Sequence, residues 1–185
     1  MSIVIEMNVE AVRVSLMNYQ RLVVLKEEAT RRYLPIWIGQ AEADAIVVRL
    51  QGVDVARPMT HDLFTNVLGA LGTHVTRVVI NSLENETFHA QIYLQAIGDD
   101  SDELEIDSRT SDAIALAVRN AAPIFVADAV LDEAGVTLED LAEEPASVDG
   151  GTRPPGPPVQ EEELKRMSAF RDFIQGLDLD DFDQR

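Results

Sequence analysis

The chain has no cysteine. That excludes disulfides, thiolate metal sites and cysteine nucleophiles, and it suits a reducing compartment. Aromatic residues are scarce, at 5% with a single tryptophan, and no basic stretch interleaves with them, which argues against a module that reads nucleic-acid sequence. No segment approaches the ~20 consecutive apolar residues of a membrane span. Residues 1–8 lack a basic start and read as a strand rather than a signal peptide, so a cytoplasmic protein without membrane association is expected. There is no phosphate-cradling glycine loop, no His-Glu-x-x-His pattern and no Gly-x-Ser-x-Gly elbow. Positive charge is also short: 15 Lys and Arg stand against 33 Asp and Glu, a net charge of −18.

That charge is uneven. Residues 1–97 carry 10 acidic and 8 basic side chains, whereas residues 98–140 carry 12 acidic and 2 basic. Such an excess repels phosphate backbones unless a local basic patch or bound cations invert it. The apolar fraction of 46% supports a real core.

Alternating apolar and polar residues predict strands over 3–16, 21–27 and 33–38, with Pro35 implying an edge position or a bulge. A helix is predicted over 40–51, with Ala43, Ile46, Val47 and Leu50 on one face, ended by Gly52. Arg57-Pro58 marks an extended connection, and Thr60 is the expected N-cap of a second helix that stops at Gly72. Strands over 74–83 and 87–96 form a hairpin around residues 84–86. A short strand at 104–106, a helix over 108–120 and a strand at 124–126 follow.

The two halves repeat. Each reads hairpin, strand, helix, and Asp44-Ala45-Ile46 recurs as Asp112-Ala113-Ile114, with the hairpin turns and third strands displaced by the same interval. The fold class is therefore α+β, a body over residues 1–140 built from duplicated halves. Mixed, mainly antiparallel sheets would pack around a shared core with helices outside. Residues 141–160 hold a Pro/Gly-rich linker, and residues 161–185 an acidic tail with an amphipathic helix candidate over 161–177. Leu164, Met167, Phe170, Phe173, Ile174 and Leu177 make its apolar stripe. A lone helix of this length is marginal in water, so it needs the body, a second subunit or another protein as partner.

Three segments carry a resemblance. They are Leu34-Pro35-Ile36-Trp37-Ile38-Gly39 running into Glu42-Ala43-Asp44-Ala45-Ile46; Arg57-Pro58-Met59-Thr60-His61-Asp62-Leu63; and Ile106-Asp107-Ser108-Arg109-Thr110-Ser111-Asp112-Ala113-Ile114, followed by Pro123-Ile124-Phe125-Val126. In order and spacing the chain resembles the bifunctional nuclease family over about residues 3–135. Thr110 departs from the proline usual there, and threonine can also start a helix. The resemblance implies cleavage of DNA and RNA, with nucleic acid as substrate, and supplies no catalytic residues.

The chemistry is argued from the residues themselves. Metal-assisted phosphodiester cleavage needs carboxylates for Mg²⁺ or Mn²⁺, a base for water, and cations for the transition state. Glu42, Asp62, Asp107 and Asp112 are the carboxylates that could bind metal, and Asp62, Asp107 and Asp112 are also candidate catalytic acids. His61 is the candidate general base or a metal ligand, and Arg57, Arg109 and Arg119 are the candidate phosphate clamps. The bland alternative gives Asp62 and Asp112 to helix dipoles and caps, and the arginines to an internal ion network. Glu42 can equally face solvent. His74 and His89 read as structural or exposed, and Trp37 as core. The leading expectation is a metal-dependent nuclease of low sequence specificity. The rival is a non-catalytic oligomeric scaffold or regulator that binds a protein partner. A homo-oligomer is expected on either reading.

Overall fold

The computed structural model describes residues 3–14, 20–98 and 103–137. The linker and the C-terminal helix candidate lie outside the described residues. The strands are β1 (Val4–Val14), β2 (Arg21–Lys26), β3 (Tyr33–Ile38), β4 (Thr73–Glu84), β5 (Thr87–Ala96), β6 (Leu104–Arg109) and β7 (Ile124–Ala127). The helices are α1 (Gln40–Leu50), α2 (Thr60–Ala70), α3 (Thr110–Asn120) and α4 (Asp128–Ala134). No helix among the described residues is long and apolar enough to cross a membrane.

All seven strands join one mixed sheet in the order β3-β2-β1-β7-β4-β5-β6. The repeat is visible as two antiparallel meanders, β1-β2-β3 and β4-β5-β6, each followed by a helix. The halves do not face each other as separate sheets. They lie side by side, with β7 inserted antiparallel to β1 and parallel to β4. Strands β1 and β4 therefore run in opposite directions, as two copies turned about an axis normal to the sheet would. Strand β1 serves both neighbours: Val4–Met7 pair with β7 and Asn8–Val14 with β2, and the ladder shifts register between Val9 and Ala11. A bulge of this kind bends a strand and lets it change partner.

Local chemistry explains the pieces. Four consecutive apolar residues, Leu22 to Leu25, are all buried in β2, as in a strand covered on both faces. Pro35 sits in β3 at the sheet edge, where its missing N–H costs no ladder bond. The β4–β5 hairpin turns through Asn85 and Glu86, both at positive φ, a type I′ signature in which asparagine is well tolerated. Cross-strand partners Val23 and Ile36, Leu25 and Leu34, and Val78 and Ile92 share the core face. That face meets Ile46 of α1, Leu68 of α2, Ile114 of α3 and Leu131 of α4 in one apolar cluster.

Helix α2 departs from this pattern. Only Leu68 is buried, while Leu63, Phe64, Val67 and the following Leu71 are exposed at helical spacing. The more apolar side of α2 thus faces away from the body.

Candidate active site

Every described helix carries an acid in the first turn: Glu42 in α1, Asp62 in α2, Asp112 in α3 and Asp128 in α4. An acid there complements the positive end of the helix dipole. The helix starts differ slightly from expectation. Met59 is the N-cap of α2, and Thr60 is its first helical residue; Asp62 Oδ2 accepts the Met59 backbone N–H at 2.8 Å. Strand β6 continues through Ser108 to Arg109 because β5 pairs with it that far, so α3 begins at Thr110. The Thr110 hydroxyl donates to the Phe88 carbonyl at 2.9 Å and anchors the start of α3 to β5.

Residues distant in sequence meet here. The Nε2 of His61 lies 3.0 Å from Asp112 Oδ1. The Arg109 guanidinium grips the same carboxylate through Nε at 2.7 Å and Nη2 at 3.2 Å, and its Nη1 donates to Glu42 Oε1 at 3.1 Å. The His61 side chain is 15% exposed, whereas that of Arg109 is 67% exposed. Burial alone would raise the Asp112 carboxyl, but hydrogen bonds from Arg109 and His61, with their charges, outweigh it and hold the group below the usual carboxylate range. The same bond to Asp112 raises Arg109. An ionised Asp112 only accepts, so His61 donates from Nε2, and whenever the ring is neutral its lone pair lies on Nδ1. That nitrogen has no partner among the described residues.

A cleft of about 400 Å³ opens beside this network. Trp37, Gly39, Glu42, Phe88, Arg109 and Ser111 are among its lining residues. Glu42 and Arg109 thus belong both to the cleft wall and to the chain of contacts leading to His61. A Cβ at Gly39 would meet the Glu42 carboxylate, the flexible far end of that side chain, so glycine here leaves Glu42 its place beside Arg109. Trp37, expected in the core, is half-buried, lies outside the apolar cluster and lines this cleft. Period-two alternation explains it: Leu34 and Ile36 point to the core, so the next residue points away.

The other expected residues lie elsewhere. Asp62 and Arg119 pair at 2.6 Å, Arg119 also donates to the Ala115 carbonyl at 3.0 Å, and the Arg119 side chain is only 4% exposed. Burial would raise Asp62, but the Met59 N–H and the Arg119 guanidinium prevail and lower it. This pair ties α2 to α3 and shows no face to a phosphate. Arg57 is exposed and has no ion pair among the described residues. Asp107 is exposed on β6 opposite Gln91, two residues before Arg109, and makes no ion pair among the described residues. His74 is exposed and His89 half-buried on their strands.

Glu42, Asp62 and Asp107 form no common ligand set. Among the described residues no group of three His, Cys, Asp or Glu side chains could hold a metal ion. Glu42 and Asp112 are occupied by Arg109, and Asp62 by Arg119. A divalent ion needs several carboxylate oxygens free at once, so this donor set does not fit one as folded.

Comparison with known proteins agrees with this arrangement of segments. A family profile described as the bifunctional nuclease domain matches residues 23–139. An uncharacterized protein of Mycobacterium tuberculosis is 36% identical over 177 residues, covering 96% of this chain and 97% of the relative. Bifunctional nuclease 2 of Arabidopsis thaliana is 29% identical over 174 residues, 90% of this chain and 52% of that protein. Bifunctional nuclease 2 of Oryza sativa subsp. japonica is 31% identical over 108 residues, 58% of this chain and 33% of that protein. The chain thus spans about half and about a third of the two plant proteins.

Proposed function

The chain belongs to the bifunctional nuclease family, and on that premise we propose that it cleaves phosphodiester bonds of DNA, RNA or both, with little sequence preference, beside His61 and Asp112. One observation carries this reading: His61, Asp112, Arg109 and Glu42, drawn from three helix starts, form one contiguous network open to solvent at Arg109. Asp112 holds the His61 ring by accepting its Nε2 proton, which leaves Nδ1 to take a proton from the attacking hydroxyl or water. Arg109 uses three of its N–H groups on Asp112 and Glu42. Two of a guanidinium's five donors remain for the charge that develops on phosphate oxygens. Low sequence specificity follows from contacts to phosphate, which is common to every nucleotide. The absence of cysteine suits a cytoplasmic setting.

The test is cleavage of labelled DNA and RNA by purified protein. His61→Gln and Asp112→Asn are each expected to slow cleavage by about 10²–10⁴-fold with unchanged circular dichroism. Equal rates in these variants would remove the site. The expected Mg²⁺ or Mn²⁺ has its own experiment, since a metal would require Arg109 to release its acids. Calorimetric Mn²⁺ titration of native chain and Arg109→Ala measures whether freeing those carboxylates creates affinity.

A second reading, a regulatory homo-oligomer, is favoured by α2. Its outward stripe contains no charged residue between Leu63 and Ala70, so a second copy could seat there despite the acidic surface. Light scattering of native chain against Leu63→Asp tests it; an unchanged monomeric mass in both counts against it.

A further inference from the structure

We infer that the cleft beside Arg109 takes a single unpaired nucleobase, so that the substrate is single-stranded nucleic acid held with a base against Trp37 and the adjoining phosphate at Arg109. The inference rests on the nuclease reading and adds which form of nucleic acid the site accepts.

Size comes first. A volume of about 400 Å³ lies at the small end of ligand pockets and suits one base with its sugar. A base in a duplex is stacked and paired, so it must leave its stack to lie against a side chain in the cleft. Lining chemistry comes second. Trp37, Ile38 and Phe88, each half-buried, give the cleft an apolar, aromatic wall. Aromatic side chains bind bases through their faces, independent of sequence. The structure leaves Trp37 outside the core cluster although tryptophan is the chain's largest apolar residue, and it occurs once.

Charge settles the orientation. Glu42 and Glu86 both line the cleft, and Arg109 is the one cation among its lining residues. A phosphate inside would meet more negative than positive charge; a neutral base would not. Arg109 is two-thirds exposed and keeps donors free of Asp112 and Glu42. The base therefore goes in, and the phosphate stays at the rim beside Arg109, where the link to Asp112 and His61 begins.

Because the chain contains one tryptophan, its intrinsic fluorescence reports on this cleft alone. His61→Gln protein, used to keep the probe intact, is titrated with a short mixed-sequence DNA oligomer and with that oligomer annealed to its complement. The expected result is saturable quenching by the single strand and little change with the duplex. Trp37→Ala, followed through a labelled single strand by anisotropy, is expected to bind about tenfold more weakly. If the duplex quenches as strongly as the single strand, or the single strand binds without changing the tryptophan signal, the inference is overturned. The two readings fail separately. Quenching by single strands with no cleavage of any substrate by native protein removes the nuclease and keeps the base site. Duplex cleavage as fast as single-strand cleavage, with a silent tryptophan, removes the base site and keeps the nuclease.

Discussion

At the scale of single residues, the acids divide by what their arginines are doing. Arg109 is exposed and shared between Asp112 and Glu42; Arg119 is sealed against Asp62. Removing Arg119 takes the buried cation from Asp62, a half-buried acid that keeps only the Met59 N–H. Arg119→Ala is expected to lower stability by about 3 kcal/mol in urea denaturation while cleavage per folded molecule is retained. Asp62 and Asp112 are both held below their ordinary values by these partners. Their stabilisation is complete above the usual carboxylate range, about pH 4, and is lost as pH falls through the depressed folded values. The urea midpoint should therefore drop on acidification below about pH 4, and Asp62→Asn should blunt that drop. Gly39→Ala acts differently. Its methyl would push away the far end of Glu42, a flexible group, so the melting temperature should change little while the Glu42–Arg109 contact is broken. Slower cleavage at an unchanged melting temperature is the expected result.

At the scale of elements, local signals were legible and long-range placement was not. Both hairpins, the edge proline and the glycine stops after α1 and α2 follow from alternation and turn chemistry. The helix starts near residues 60 and 108 pointed to His61, Asp62, Asp107, Arg109 and Asp112 as candidates; the structure joins His61, Arg109 and Asp112 with Glu42 and pairs Asp62 with Arg119 instead. Three things escaped. The depth of Arg119 depends on α2 crossing α3, which no local pattern states. Helix α4 is seven residues long with no side-chain cap, too short for a periodic signal. The central place of β7 is set by its partners rather than by its four residues. Being paired on both sides, with Val126 fully buried, β7 should have the most protected amides in native-state hydrogen exchange, and edge strand β6 the least.

At the scale of the whole molecule, the net charge of −18 sets how a polyanion can be met. Most nucleic-acid binders gather many phosphates and weaken steeply with salt. Here, among the described residues, a single exposed cation lines the cleft, on a body that repels phosphate. The slope of log affinity against log salt for single strands should be shallower than about −0.7, the value for one neutralised phosphate. Added salt should even help at the lowest ionic strengths, by screening the body. A slope several times steeper would mean that a basic surface elsewhere carries the binding.

Strand β7 also fixes a timetable. It is the last strand made among the described residues, yet it holds the two earlier meanders together, with β1 on one side and β4 on the other. A nascent chain can form each meander as it emerges, but the seam stays open until Ala127 has left the ribosome. Any stall or cut before that point leaves two half-sheets with bare inner edges, ready to pair with a neighbour instead of each other.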